Sequence, residues 1–252
     1  MKKTAYRRAK ILEELDKDGQ VNVNMLSKLF GVSEVTIRND LDKLEKNNLL
    51  VRAHGGAFKS NNLILTFSQK KKLNMEVKTR IGRKAASLIE EGDTILLDSG
   101  TTTFEISRFL RDFQKLTVIT NALDIVNNLA QQDNLEVFMP GGYLKEFSMS
   151  LVGPLAERNL KQLSCNKLFL GVDSIKPDKG VFTHHIEEAQ LNQLMINLTE
   201  EVILVSDSSK FSKSGMAFIC ECDHIHKLIT DNGISDEHLK ALEKHNVEVI
   251  VV

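Results

Sequence analysis

Apolar residues recur along this chain in two rhythms, and the first is helical. Ala5, Ala9 (or Arg8), Leu12 and Leu15 lie at helical spacing, and "DKDG" at 16–19 stops the run. "QVNVNMLSKLFGVS" reads as a short extended lead-in, a helix through Met25, Leu26 and Leu29, and a turn at Gly31. Ser33 is a natural N-cap with Glu34 in the first turn, so another helix is expected from there to about Asn47. Its inward stripe is Ile37, Leu41 and Leu44. Val35, Asn39, Asp42 and Lys46 point away, flanked by Thr36 and Arg38. "LLVRAHGGAF" then predicts a strand and two glycines able to reverse the chain into a hairpin. Three helices followed by a hairpin make a winged helix-turn-helix, assigned to residues 1–58.

From 59 to 74 the pattern dissolves into polar and basic residues, which reads as a linker. The second rhythm fills 75–252. Seven short apolar runs, "TILLD", "LTVIT", "LEVFM", "KLFLGV", "EVILVSD", "HKLITD" and "VEVIVV", recur along it. Most are separated by helical stretches: 78–89, 102–110, 123–131, 187–198 and 236–244. Continuous apolar strands alternating with amphipathic helices predict an α/β domain with a mostly parallel sheet covered on both faces.

The charge balance sharpens this division. Across 252 residues the formal net charge is only −1. Residues 1–72, however, hold 15 Lys+Arg against 8 Asp+Glu, and residues 73–252 hold 18 against 26. A segment at +7 beside one at −8 suggests that the first part meets a polyanion. A chance run such as Lys70–Lys72 explains only part of the difference. Three cysteines make no disulfide framework, and the basic N-terminus never reaches a signal-peptide apolar run. No segment approaches the length of a membrane span. The expected location is the cytoplasm.

The outward face of the 34–47 helix carries the chemistry of a DNA reader. A recognition helix inserts its N-terminal part into the major groove. There Arg38 suits guanine, Asn39 suits adenine, and Val35 or the Thr36 methyl suits a thymine methyl. Arg52 and His54 on the hairpin would meet phosphates or a minor groove. Any amphipathic helix shows a polar face. The paired helices, the Gly31 turn, the basic excess and the "RAHGG" wing together outweigh that plainer account.

In the larger part, "ILLDSGTTTFEIS" takes a strand ending at Asp98 through Gly100 into a helix that begins with three threonines. Backbone N–H groups and hydroxyls at such a start suit a phosphate, although Thr capping alone explains the motif equally well. It is neither a P-loop nor a dinucleotide fingerprint. Thr120 and Asn121, Gly141 and Gly142, Asp173, and Asp207 with Lys210 also follow apolar runs. Ligands of open α/β sheets bind beyond the carboxyl ends of strands. Threonines, a lysine and several carboxylates there suit a phosphorylated polyol. "CECDHIH" is set aside as a metal site, because an extended strand would hold its first and last ligands roughly 20 Å apart. His184 and His185 read as a polar loop pair or as donors to a sugar hydroxyl, and Cys165 as a buried small residue.

"GVSEVTIRNDLDKLEKNNLLVRAHGGA" closely resembles the DNA-binding domain of the DeoR family of bacterial transcriptional regulators. The family has a second Arg where this chain has Asn39, a departure that bears on operator sequence. It usually has Gly where this chain has Asn47 or Asn48. "DSGTTTFEIS", "TNALDI", "GGYL", "LFLGVDSI", "EEAQLN" and "DSSKF" are similar to the family's effector domain, whose fold is related to ribose-phosphate isomerases and amino-sugar-phosphate deaminases. "TIRND", "LDSGTTTFEI" and "LFLGVDSI…GVFTHHIEEAQLN" most resemble the subgroup that represses N-acetylgalactosamine, galactosamine or galactitol utilisation. With that resemblance, the expected DNA contact set is Ser33, Val35, Thr36, Arg38, Asn39, Arg52 and His54. The resemblance implies an effector site lined by Asp98, Gly100, Thr101, Thr102, Thr103, Asn121, Gly142, Asp173, Glu188 and Lys210. The expected protein is a repressor on double-stranded operator DNA, released by a phosphorylated sugar or amino sugar, with no cofactor and no metal. A homo-oligomer is expected, since one winged helix is rarely specific enough among competing genomic sites. The rival is a sugar-phosphate isomerase or deaminase in which Asp98, Asp173, Glu187, Glu188 and Lys210 move protons.

Overall fold

A computed structural model describes residues 2–46, 49–53, 55–58 and 66–252, and the described chain divides into two units, 1–65 and 66–252. In the smaller unit, α1 (Lys2–Asp18) leads through β1 (Gln20–Asn22) into α2 (Val23–Phe30) and α3 (Glu34–Lys46). β2 (Val51–Ala53) and β3 (Gly56–Phe58) follow, and β3 pairs antiparallel with both β1 and β2. The extended lead-in is thus the third strand of the wing. Gly31 ends α2 at φ 62°, ψ 34°, a left-handed conformation that L side chains resist, and its N–H caps the Ser27 carbonyl. Ser33 caps α3 by accepting the Thr36 N–H at 3.2 Å.

The core of this unit contains Ile11, Leu15, Val21, Val23, Leu26, Ile37, Leu41, Leu44, Leu50 and Ala57. The inward face of α2 is Val23 and Leu26, whereas Met25 and Leu29, expected to pack, are exposed. The helix begins at Val23 immediately after its Asn22 cap, which sets its facing differently from the expected stripe. Asp40 is buried at 2% exposure, and its two oxygens accept from Arg7 Nε at 2.6 Å and Arg8 Nε at 2.7 Å. These bonds fasten the first helix to the third.

The larger unit opens with α4 (Phe67–Lys72) and α5 (Met75–Ala86). The expected linker therefore ends early, because 67–72 is a helix of this unit. Phe67 is buried and meets the Phe104 ring edge-on at 6.2 Å, worth roughly 2 kcal/mol of apolar burial. Thr66 N–H bonds Gln69 Oε1 at 2.8 Å at the start of the helix. At its end, Lys78 Nζ donates to the carbonyls of Lys70 and Leu73 at 2.6 and 2.8 Å.

Next come β4 (Thr94–Leu97), α6 (Thr101–Ser107), β5 (Leu116–Thr120), α7 (Leu123–Leu129) and β6 (Leu135–Phe138). The hairpin β7 (Tyr143–Lys145) and β8 (Ser150–Val152) precedes α8 (Pro154–Leu160) and β9 (Cys165–Leu170). β10 (Ser174–Lys176), β11 (Gly180–Thr183), α9 (Ile186–Asn197) and β12 (Thr199–Val205) follow. The chain continues through β13 (Ala217–Cys220), β14 (Lys227–Thr230), α10 (Asp236–Glu243) and β15 (Glu248–Val251).

The seven expected strands are β4, β5, β6, β9, β12, β14 and β15. They form one sheet in the order β15-β14-β12-β9-β4-β5-β6, parallel at every pairing. Alternate residues feed opposite faces. Leu96, Leu168, Leu204 and Leu228 join a core with α8, α9 and α10, whereas Ile95, Leu97, Phe169 and Ile203 join one with α5, α6 and α7. A small antiparallel sheet β10-β11-β13 and the β7–β8 hairpin lie outside the expected pattern. The chain runs from β4 outward to β6 and returns at β9 on the other side of β4. That reversal makes the carboxyl ends of β4 and β9 a switch point where α/β sheets hold ligands.

Candidate nucleic-acid face and effector cavity

In the smaller unit, Ser33, Val35, Arg38 and Asn39 are exposed and Thr36 is half-buried, all in the first turns of α3. Arg38 pairs with Glu34 at 2.8 Å, an exposed pair worth little that a base edge can displace. Arg52 is more committed. Its Nε lies 3.1 Å from Asp42 Oδ1 and its Nη1 donates to the Gly56 carbonyl at 3.2 Å, so it braces the hairpin against α3. His54 lies outside the described residues. The unit carries 12 Lys+Arg against 8 Asp+Glu, a net +4, because Lys70–Lys72 belong to the other unit.

In the larger unit, a cavity opens at the switch point. Asp98 and Gly100 after β4, Thr101 and Thr102 of α6, Asp173 after β9, Glu188 of α9 and Lys210 after β12 all line it. Gly100 precedes α6 in extended backbone, and the Thr103 hydroxyl bonds back to its carbonyl at 2.9 Å. Among the described residues, the Thr101 and Thr102 side chains make no such bond, which leaves both hydroxyls to a ligand. Lys210 sits on a single 3-10 turn, Ser208–Ser212, whose cap Asp207 accepts the Ser209 N–H at 3.2 Å.

Three expected residues do not line the cavity. Thr103 is fully buried in its own turn. Asn121 spends its amide on the Leu151 carbonyl at 3.2 Å, fastening β8 to the end of β5. Gly142 sits at φ 123°, where a Cβ would come within 2.5 Å of the Val152 carbonyl. Its lack of a side chain serves this close backbone approach. Conversely, Phe67, Lys70, Phe147, Ser148, Thr183 and Asn192 line the cavity and were not anticipated. Phe67 and Lys70 lie in the stretch that reads as a linker, Thr183 ends a strand absent from the expected seven, and Phe147, Ser148 and Asn192 follow no expected strand.

The electrostatics centre on Asp173. Lys70 Nζ is 2.7 Å and Lys210 Nζ 3.6 Å from its Oδ1, and His184 Nε2 is 3.8 Å from its Oδ2. Burial alone would raise the Asp173 carboxyl, but Lys70, Lys210 and His184 outweigh it and hold the group well below the usual range. Burial lowers Lys210 to about 8, with the Lys70 charge adding and Asp173 opposing. Burial raises Asp98 to about 7, with Glu188 adding to that rise. Asn192 faces Asp98 and favours its ionised form, yet its buried amide nitrogen makes no hydrogen bond of ordinary geometry among the described residues. Thr183 Oγ1 lies 3.2 Å from Asp173 and 3.3 Å from Glu188, and its one hydrogen serves one carboxylate at a time. The cavity thus combines spare carboxylate acceptors, an unpartnered amide donor, free hydroxyls and two lysines. Such a set can hold hydroxyls and an anion together.

Comparison with known proteins places both units. A DeoR-like helix-turn-helix domain matches residues 7–62, and the DeoR C terminal sensor domain matches 73–232. The chain belongs to the DeoR family. It is 42% identical over 99% of its length to a protein of Escherichia coli O157:H7 named "Putative aga operon transcriptional repressor", covering 94% of that protein. It is 34% identical over 95% of its length to the lactose phosphotransferase system repressor of Lactococcus lactis subsp. lactis, covering 95% of that protein. It is 32% identical over 94% of its length to the HTH-type transcriptional regulator GolR of Listeria innocua, covering 93% of it. A solved ribose 5-phosphate isomerase A from Methanocaldococcus jannaschii is similar at TM-score 0.41 and 14% identity over 55% of each chain, too slight a likeness to carry an argument.

Proposed function

We propose that this protein represses a sugar or amino-sugar utilisation operon, and that a phosphorylated sugar in the cavity releases it from operator DNA. One observation carries the effector half of this reading. Two lysines from different elements, Lys70 and Lys210, converge on one carboxylate beside the unengaged Thr101 and Thr102 hydroxyls. A phosphate dianion offers both lysines a stronger partner, while Glu188 and Asp98 accept sugar hydroxyls. Ser33, Val35, Thr36, Arg38 and Asn39 form the DNA-reading face, and paired units of a homo-oligomer supply half-site spacing. The relatives named as repressors of the aga operon and of a lactose phosphotransferase system support the sugar assignment and a cytoplasmic setting. Among the described residues, no helix is long and apolar enough to cross a membrane.

The test is a titration of galactosamine 6-phosphate and of free galactosamine into the protein–operator complex. Release by the phosphate alone is expected, and release by both at similar concentration would refute the phosphate assignment. One feature favours a second reading: the Asp98 carboxyl, raised by burial to about 7, is poised as a general base would be. An isomerase or deaminase would convert the bound ligand. Recovery of the sugar phosphate unchanged after prolonged incubation decides for a sensor.

A further inference from the structure

Lys70 stands apart from the other charged residues of the cavity, because α4 carries it. That helix is the first of the larger unit, and eight residues, 59–66, separate it from the end of β3 at Phe58. α4 is therefore the first helix of the sensor unit that the chain meets on leaving the DNA-reading unit. Most attachments of α4 are independent of Asp173, although Phe67 and Phe147 also line the cavity. Phe67 is buried against Phe104, its N–H bonds the Phe147 carbonyl at 2.7 Å, and Lys71 Nζ stands 3.7 Å above the Phe104 ring. One attachment is not independent: the Lys70–Asp173 pair at 2.7 Å, the single ion pair of α4 among the described residues.

We propose that Lys70 is an effector-contacting residue and that exchange of its partner, from Asp173 to the ligand phosphate, couples the cavity to the segment entering the DNA-binding unit. This rests on the effector reading above. Two features make Lys70 the mobile member of the cluster. Its side chain is 28% exposed against 14% for Lys210, and it stands on a six-residue helix rather than at a sheet end. Asp173 does not lose all its partners in the exchange, since Thr183 Oγ1 remains at 3.2 Å and becomes free to donate to it. α4 then keeps its apolar anchor and the Lys78 bonds to the Lys70 and Leu73 carbonyls but loses its ion pair, so its hold on the sensor unit weakens.

The experiment uses the full chain, duplex operator and galactosamine 6-phosphate. Lys70→Met keeps the stem and removes the charge; Lys70→Arg keeps the charge; Lys72→Met alters an exposed lysine of the same helix. For Lys70→Met, ligand affinity by calorimetry should fall about tenfold or more, the scale of a lost charge-assisted hydrogen bond. Without ligand, its amides from 67 to 73 should exchange faster than in the wild type, as those of the ligand-bound wild type should. At saturating ligand, Lys70→Met should show a smaller further loss of operator affinity than the wild type. Lys70→Arg should retain most of the response, and Lys72→Met all of it. Wild-type ligand affinity in Lys70→Met overturns the contact, and wild-type exchange with full release at saturation overturns the coupling. If the wild type itself binds no galactosamine 6-phosphate, the effector reading fails for that ligand and this inference falls with it.

Discussion

Raising the pH from 7 to 9 should weaken phosphate binding in the cavity about tenfold, and the cause is Lys210. Burial holds its ammonium at about 8, with the Lys70 charge pushing the same way. A phosphate dianion beside it favours the charged form and raises that value in the complex. The sign follows from linkage. A group whose pKa is raised by binding contributes affinity that is complete below its free value and falls away as pH rises from that value toward its bound one. With a free value of about 8, Lys210 is about nine-tenths charged at pH 7 and about one-tenth at pH 9. The loss is therefore about tenfold, or about 1.4 kcal/mol. The ligand does not cause it, because a phosphate with a second pKa of about 6 stays dianionic across this window. A hexose 6-phosphate without an amino group keeps the ligand free of other ionisations. Asp98, at about 7, gains charge mainly between pH 6 and 8 and weakens anion binding on that lower limb. Asp98→Asn should remove the lower limb and leave the upper one. The assay is calorimetry from pH 7 to 9 in paired buffers of different ionisation enthalpy. About half a proton should be taken up per ligand at pH 8 through Lys210. An affinity flat from 7 to 9, with no proton uptake, refutes the placement of a phosphate beside Lys210.

Three further outcomes are expected. Arg38→Ala should cost on the order of 1–3 kcal/mol of operator binding at one base position and leave sugar-phosphate affinity unchanged; equal loss on all sequences by anisotropy would make Arg38 a backbone contact instead. Thr102→Glu should block release by sugar phosphate while operator binding persists, since its carboxylate occupies the place of the anion; a normal release curve would move the phosphate elsewhere. Asp40→Ala should destabilise the smaller unit by about 3 kcal/mol in urea melts, because Arg7 and Arg8 lose their buried partner; a change under about 0.5 kcal/mol would show the pair to be ornamental.

What could be read from the sequence divides along physical lines. The seven sheet strands were legible because a strand buried on both faces needs a continuous apolar run, as in "TILL" or "VILV". The Thr101–Thr103 turn was legible because capping hydroxyls and Gly100 mark a helix start. The β10-β11-β13 sheet was not, because strands such as "SIK" are three residues long with no period to detect. The helix at 67–72 was hidden by composition: one buried aromatic followed by "SQKKK" resembles a solvated run. Its contribution depends on Phe104 and Asp173, residues distant in the chain, and no local window contains them. Asn192 lies within "EEAQLN", but nothing local marks its amide as buried; only the fold does that.

The misplacement of Lys70 changes the charge argument as well as the site. The +7 of residues 1–72 suggested a polyanion-binding segment, but three of those charges belong to the sensor unit and one of them faces Asp173. The DNA-reading unit keeps a net +4, and within it Arg7 and Arg8 are bound to Asp40 and Arg52 to Asp42. Salt dependence follows the Lys and Arg side chains that meet phosphates, and with these three paired internally fewer remain in one unit to release counterions. In the proposed homo-oligomer, two units acting together each add their own released counterions. In that proposal, the arrangement of the paired units, more than the charge on any one of them, is the quantity a sensor controls. The proposed Lys70 exchange acts on the first helix of the sensor unit, separated from the end of β3 by residues 59–66, and so near the chain's entry from the reading unit.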